Sequence, residues 1–177
     1  MLQLALLGLA GGQQEKAANL LAAAIRAEPG LAEAHFQLGN LLRKRGRLDE
    51  AERHYRGAIA ANADHAEALG NLGGLLNDQG SVDEATRHLE HSLRVNPTLA
   101  SVSFTLAMLR INERRWEEAA LLLRNSLASD PKQADANYWL GNAEMGQGNA
   151  AGARKAYQAC VRLDGNYLQA RWASGGR

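Results

Sequence analysis

The chain has 177 residues, 46% of them hydrophobic, with three prolines and a formal net charge of +1. That is enough apolar material for a globular core, and the balanced, interspersed charge argues against a dedicated nucleic-acid or anionic-membrane surface. A single cysteine, Cys160, excludes an intramolecular disulfide and argues against a disulfide-dependent secreted module.

The opening MLQLALLGLAGG pairs a short apolar run with small residues, as a signal peptide would, but it has no basic leader and is too short to cross a bilayer. It reads instead as a first helix, because Leu4, Ala5, Gly12 and Ala17 fall on a 34-residue frame that continues through the chain. Leu4, Leu38, Leu72, Leu106 and Leu140 form one column, and Ala17, Ala51, Ala85, Ala119 and Ala153 another. With Ala32, Ala66, Ala100 and Ala134 as position 1 of their units, position 8 holds only Ala5, Gly39, Gly73, Ala107 and Gly141. Position 15 holds Gly12, Gly46, Gly80, Arg114 and Gly148, and position 24 holds Leu21, Tyr55, Leu89, Leu123 and Tyr157. Ala24, Ala58, Ser92, Ser126 and Cys160 share position 27, where a small buried residue is expected, and Pro29, Pro97 and Pro131 share position 32.

Each unit reads as two amphipathic helices. In the second, Leu38, Leu41 and Leu42, then Leu48, Ala51, Tyr55, Ala58 and Ile59, follow helical spacings of three and four. A glycine at position 15 can take positive φ and turn the chain back. Asp49, Asp83 and Glu117 then open second helices, where acidic groups oppose the positive end of the dipole. Proline at position 32 is expected to break the second helix. Small residues at positions 8 and 20 let the two backbones approach. The basic cluster Arg43, Lys44, Arg45 and Arg47 reads as a solvated helix end.

Repeated Leu-Gly, Ala-x-x-x-aromatic and Pro at this period resemble the tetratricopeptide repeat, with LGNLLRKRGRLDEAERHY the clearest copy. The resemblance implies an all-α fold, a right-handed superhelical solenoid of antiparallel helix pairs with about five 34-residue repeats. One domain over 1–177 is expected, with repeats at 1–31 (truncated at its start), 32–65, 66–99, 100–133 and 134–167. Residues 168–177 would be a partial sixth unit or tail. Leu2, Leu6 and Leu9 are expected to leave apolar surface at the front, and Leu168 and Trp172 to form a stub at the back. Both ends stop within a unit, which suggests a fragment of a longer polypeptide or a homo-oligomer joined through the terminal repeats.

In this family the first helices line a concave groove, so the resemblance selects Phe36, Gln37, Asn40, Asn71, Asn77, Phe104, Tyr138, Trp139 and Asn142 as peptide-binding candidates. None of these positions is needed for the repeat to fold. Carboxamides both donate and accept, which suits an extended backbone, and aromatic residues would add anchors. Tyr138 and Trp139 could instead pack under the partial sixth unit with Trp172. The amides at Gln3, Gln37 and Asn71 resemble the asparagine ladder of the O-linked N-acetylglucosamine transferase superhelix, interrupted by Thr105 and Trp139. A carboxylate clamp is rejected because Phe36, Ser101 and Thr105 lack the charges it needs.

The expected function is a protein–protein interaction scaffold, with a substrate-recruiting arm of a larger glycosyltransferase-like enzyme, or a self-assembling scaffold, as alternatives. No catalytic residue, metal site or cofactor is expected: His88 and His91 are three apart but lack a third ligand, and the glycines punctuate helix pairs rather than forming a phosphate loop. The expected partner is a protein or peptide, without nucleic acid or membrane insertion, and the expected location is cytoplasmic.

Overall fold

The computed structural model describes residues 1–174 apart from the Trp172 side chain, and these residues form α-helices joined by short turns, with no strand among them. First helices α1 (Leu2–Ala10), α3 (Ala32–Lys44), α5 (Ala66–Asp78), α7 (Ala100–Asn112) and α9 (Ala134–Gly146) start each unit. They alternate with second helices α2 (Gln14–Ala27), α4 (Leu48–Ala61), α6 (Val82–Val95), α8 (Trp116–Ser129) and α10 (Ala150–Leu163), and a short α11 (Leu168–Ala173) follows. The chain is an all-α helical repeat solenoid. It divides into two compact bodies, residues 1–95 with α1 to α6 and residues 96–177 with α7 to α11, each of which is described by itself. What the sequence suggests for Trp172 and for residues 175–177 lies outside the described residues.

One device closes every first helix. The amide of position 16 returns to the carbonyl of position 11: Gln13 to Gly8 at 2.8 Å, Arg47 to Leu42 at 3.0 Å, Ser81 to Leu76 at 2.8 Å, Arg115 to Arg110 at 2.8 Å and Asn149 to Glu144 at 2.9 Å. This six-to-one bond requires a left-handed residue at position 15. Gly12, Gly46, Gly80 and Gly148 supply it with φ of 73°, 73°, 82° and 78°. Arg114 adopts the same conformation, φ 58°, without the freedom of glycine.

The second helices end at the same position whether or not proline follows, since α4 and α10 stop like the others ahead of Ala63 and Gly165. Position 31 carries the signal in four units. Asn62, Asn96, Asp130 and Asp164 each accept, through a side-chain oxygen, the amide two residues on, at 3.1, 3.1, 3.1 and 2.9 Å. Such Asx turns compete with helix continuation locally. Pro97 and Pro131 coincide with such a turn, Asn62 and Asp164 act without proline, and at the end of α2 Pro29 follows Glu28 with no Asx turn.

Within each unit the small and large columns interlock. Ala17, Ala51, Ala85 and Ala119 are fully buried and Ala153 is 1% exposed. A Cβ added at Gly39 would lie 2.8 Å from Tyr55 Cε1, one at Gly73 would lie 2.7 Å from Leu89 Cγ, and one at Gly141 would collide with the Tyr157 ring. Where position 24 is tyrosine, position 8 is glycine, and the alanines Ala5 and Ala107 occur only opposite Leu21 and Leu123. At position 27 the buried hydroxyls of Ser92 and Ser126 donate to the carbonyls of Ala66 and Ala100 at 2.7 and 2.9 Å. Burial pushes the Cys160 thiol up to about 11.

The leucine column breaks at its first member. Leu38, Leu72 and Leu106 are buried, but Leu4 is 61% exposed. Leu38 shares a core with Leu21 and Ala24 of α2, an element with no counterpart before α1 among the described residues. Met1, Leu4 and Leu7 are the exposed apolar residues of the front, whereas Leu2 and Leu9, expected there, turn inward and pack on the core. A second departure occurs at position 11, where buried Leu42 and Leu76 give way to buried Arg110 and Glu144. Arg110 is held by Glu113 at 3.1 Å and Glu118 at 3.3 Å. Glu144 pairs with Arg124 and accepts from Asn149 Nδ2 at 2.6 Å, so neither charge is buried uncompensated.

Candidate functional site

In residues 1–95 the first-helix candidates centre on one tyrosine. Tyr55 points from α4 into the core and is fully buried, and its hydroxyl donates to Asn40 Oδ1 at 2.9 Å. Asn71 Nδ2, from α5, donates to the same oxygen at 2.7 Å. Burial raises the Tyr55 phenol above its ordinary range, while nearby Arg43 and Asn71 act in the opposite direction. Asn40 is thus both a fold element and a surface group, which corrects the expectation that its position is free of structural duty.

That arrangement changes what Asn40 offers a ligand. Its carbonyl already accepts two internal bonds, so its outward capacity lies in the Nδ2 donors. Gln37 Nε2 is held by Glu33 Oε1 at 2.6 Å. Around these groups lies an open cavity of about 480 Å³ lined by Leu9, Gln14, Gln37, Asn40, Leu41, Arg43 and Lys44. Arg43 and Lys44, which the sequence suggests are merely solvated, therefore border the cavity. Phe36 is half-buried and packs on His65 and Tyr55, with ring centroids 4.8 and 6.4 Å apart, so part of its surface serves the core. Asn77 is half-buried on α5.

Residues 96–174 repeat the tyrosine motif. Tyr157 O–H donates to Asn142 Oδ1 at 2.8 Å, and burial raises this phenol too, with Tyr138 a further cause. Tyr138 and Trp139 meet edge to face with centroids 5.3 Å apart. They face different neighbours. Tyr138 packs on Tyr167 at 5.3 Å and donates to Gln169 Oε1 at 2.5 Å, placing it against the start of α11. Trp139 and Phe104 are half-buried against a core that includes Ala107, Ala119 and Leu123.

The structure thus brings Gln37, Asn40 and Asn71 together in one body, and Tyr138 with Trp139 in the other. The tyrosine partnership was detectable in sequence: asparagine occupies position 9 only in the two units with tyrosine at position 24. Leu6, Gly74 and Met108 stand there when the partner is Leu21, Leu89 or Leu123. His35 and His54 come within hydrogen-bond distance although 19 residues separate them, a contact the repeat pattern does not announce. Among the described residues no group of three or more His, Cys, Asp or Glu is arranged to hold a metal, and no helix is long and apolar enough to cross a membrane.

A family model described as tetratricopeptide repeat matches residues 2–58, 36–90 and 104–167. No curated protein matches the chain. Among solved structures the chain is similar to YrrB, described as a TPR protein with an unusual peptide-binding site. The identity is 21% and the TM-score 0.78, over 98% of this chain and 90% of that one. It is similar to PilF of Pseudomonas aeruginosa at 23% identity and TM-score 0.78, over 97% of this chain and 78% of that one. The MamA protein matches at 17% identity and TM-score 0.74, over 95% and 92% of the two chains. At these identities the likeness concerns the fold.

Proposed function

Because the chain belongs to the tetratricopeptide repeat family, we propose that it is a protein–protein interaction scaffold holding an extended peptide or partner segment on the face of its first helices. The cavity lined by Gln37, Asn40, Leu41, Arg43 and Lys44 is the observation that carries this reading. Its polar groups are mainly donors: Asn40 Nδ2 points away from a carbonyl that is already doubly engaged, and two cations stand beside it. Such a surface suits the carbonyl oxygens of an extended backbone, each bond contributing about 0.5–1.5 kcal/mol net. Leu9 and Leu41 add apolar contact for an alternate side chain. YrrB, described with a peptide-binding site, supports the same reading by analogy. Phe104, Trp139 and Asn142 would serve the second body in the same way.

Peptide-library selection followed by affinity measurement tests this. Peptides captured by the wild type should bind several-fold more weakly to a Gln37→Ala/Arg43→Ala variant whose helicity is intact. Equal affinity would remove the first-helix cavity from the account.

A second reading has its own observation. Met1, Leu4 and Leu7 are 61%, 61% and 69% exposed, an apolar group at the front of α1 that association between copies would cover. Sedimentation over a concentration series decides it, since a chain that stays monomeric at high concentration is not assembling through this face.

A further inference from the structure

The second unit departs from the repeat pattern at two positions that meet at a third. Position 4 is His35 where the other units have Met1, Leu69, Ser103 and Asn137. Position 26 is Gly57, the only glycine of a column that otherwise holds Ala23, His91, Asn125 and Ala159, and position 23 is His54, a histidine shared with His88 of the third unit. The three are physically one feature. His35 Nδ1 lies 3.1 Å from His54 Nδ1, with ring centroids 5.2 Å apart. A Cβ at residue 57 would lie 2.5 Å from His35 Nδ1, so glycine there makes the room that the His35 ring occupies.

Two imidazole nitrogens held face to face from different helices, α3 and α4, cannot both present bare lone pairs to each other. Either a proton or a metal ion must stand between them. We propose that His35 and His54 form a two-histidine chelate for a divalent first-row transition ion of the imidazole-preferring class, Ni(II), Cu(II) or Zn(II). With metal–nitrogen bonds of about 2.0–2.1 Å, a 3.1 Å span between ligand atoms corresponds to an N–metal–N angle of about 100°. That lies between square or octahedral and tetrahedral geometry, so the spacing of the two nitrogens already suits a shared ion once the rings turn their lone pairs towards it. In the metal-free pair one Nδ1–H donates to the other ring. On binding, that ring carries its proton on Nε2 instead, both Nδ1 lone pairs go to the metal, and no net proton is lost.

The neighbourhood leaves the remaining coordination positions to water or to a donor from a bound partner. Glu50, one turn before His54, is engaged by Arg47 through two bonds of 2.6 and 2.7 Å and is not a third ligand. Both histidines are only half-buried, so the ion has access.

The test is calorimetric titration of the chelator-treated protein with Ni(II) alone and Zn(II) alone, near neutral pH in a non-coordinating buffer. The wild type should bind one ion in each titration. His88→Asn/His91→Asn should retain that ion, while His35→Asn and His54→Asn should each lose it. Should either of the last two fail to fold, the histidine ring resonances of the wild type decide. Ni(II) should broaden His35 and His54 first. Absence of binding, retention of the ion by folded His35→Asn or His54→Asn, or broadening centred on His65, His88, His91 or the amino terminus would overturn the proposal.

Discussion

The hydroxyl of Tyr55 and the side-chain carbonyl of Asn40 are joined by a 2.9 Å hydrogen bond that ties the second helix of a unit to its first. The same bond recurs at 2.8 Å between Tyr157 and Asn142. Removing only the acceptor should therefore be costly: Asn40→Ala strands a buried phenol and the Asn71 amide together, at about 1–3 kcal/mol. Tyr55→Phe should make part of the Asn40→Ala loss disappear, so that the double variant is more stable than the sum of the singles predicts. A urea-denaturation double-mutant cycle measures this, and simple additivity would show that the two groups act independently.

Two members of one leucine column should respond very differently to the same substitution. Leu72 is fully buried and Leu4 is 61% exposed. Leu72→Ala should cost about 2–5 kcal/mol through the cavity it leaves, whereas Leu4→Ala should stay within about 0.5 kcal/mol in either direction. Comparable midpoint shifts for the two in urea would contradict the packing described for α1.

Arg114 is the one non-glycine with positive φ among the described residues. Arg114→Gly should raise stability by about 1 kcal/mol, since glycine takes the left-handed conformation without the steric penalty but loses some of that gain to chain entropy. Gly80→Ala, at the equivalent position in the third unit, should lower it by a similar amount. Thermal melts of both variants check the pair, and a fall in melting temperature for Arg114→Gly would mean that its side chain contributes more than the turn strain costs.

How far these features were legible in the sequence depended on whether their cause repeats. The glycine at position 15 announced the left-handed turn, and the same frame picked out Arg114 as occupying it. For the stop of the second helix the sequence displays Pro29, Pro97 and Pro131 as conspicuous breakers, whereas Asn62, Asn96, Asp130 and Asp164 look like ordinary polar surface residues until their backbone bonds are seen. Leu4 fell on the column, but burial depends on the neighbour before it rather than on the column itself. At the candidate site the frame supplied Gln37, Asn40 and Asn71. Asparagine at position 9 wherever position 24 is tyrosine points to the Tyr55 bond, but the frame does not show that Asn71 takes up the same carbonyl, since that depends on side-chain direction between successive helix pairs. The His35–His54 contact has a different cause for its silence, since a contact made in one unit alone leaves no periodic trace.

Acid should weaken the fold through its half-buried histidines. Burial lowers His54 below its ordinary value of 6.5, with His35 and then Arg53 as the next causes and Glu50 opposing. Burial likewise lowers His88, against the pull of Glu84. The unfolded chain therefore takes up these protons first as pH falls, so it holds more protons than the native state in a window at and below about pH 6.5, and stability rises with pH there. Urea midpoints in chelator-containing buffer should fall between about pH 7 and about pH 5.5, and His54→Asn should flatten that slope. An unchanged slope in His54→Asn would assign the acid sensitivity elsewhere.

The claim that ligands are held by the first helices is tested most directly by titrating isotope-labelled protein with a library-selected peptide and following the side-chain amide resonances. Gln37, Asn40 and Asn71 should shift together at one saturating concentration, with the Asn40 Nδ2 protons moving most, while resonances on the outer faces of α4 and α6 stay in place. Shifts confined to those second helices, with the three amides unmoved, would contradict it.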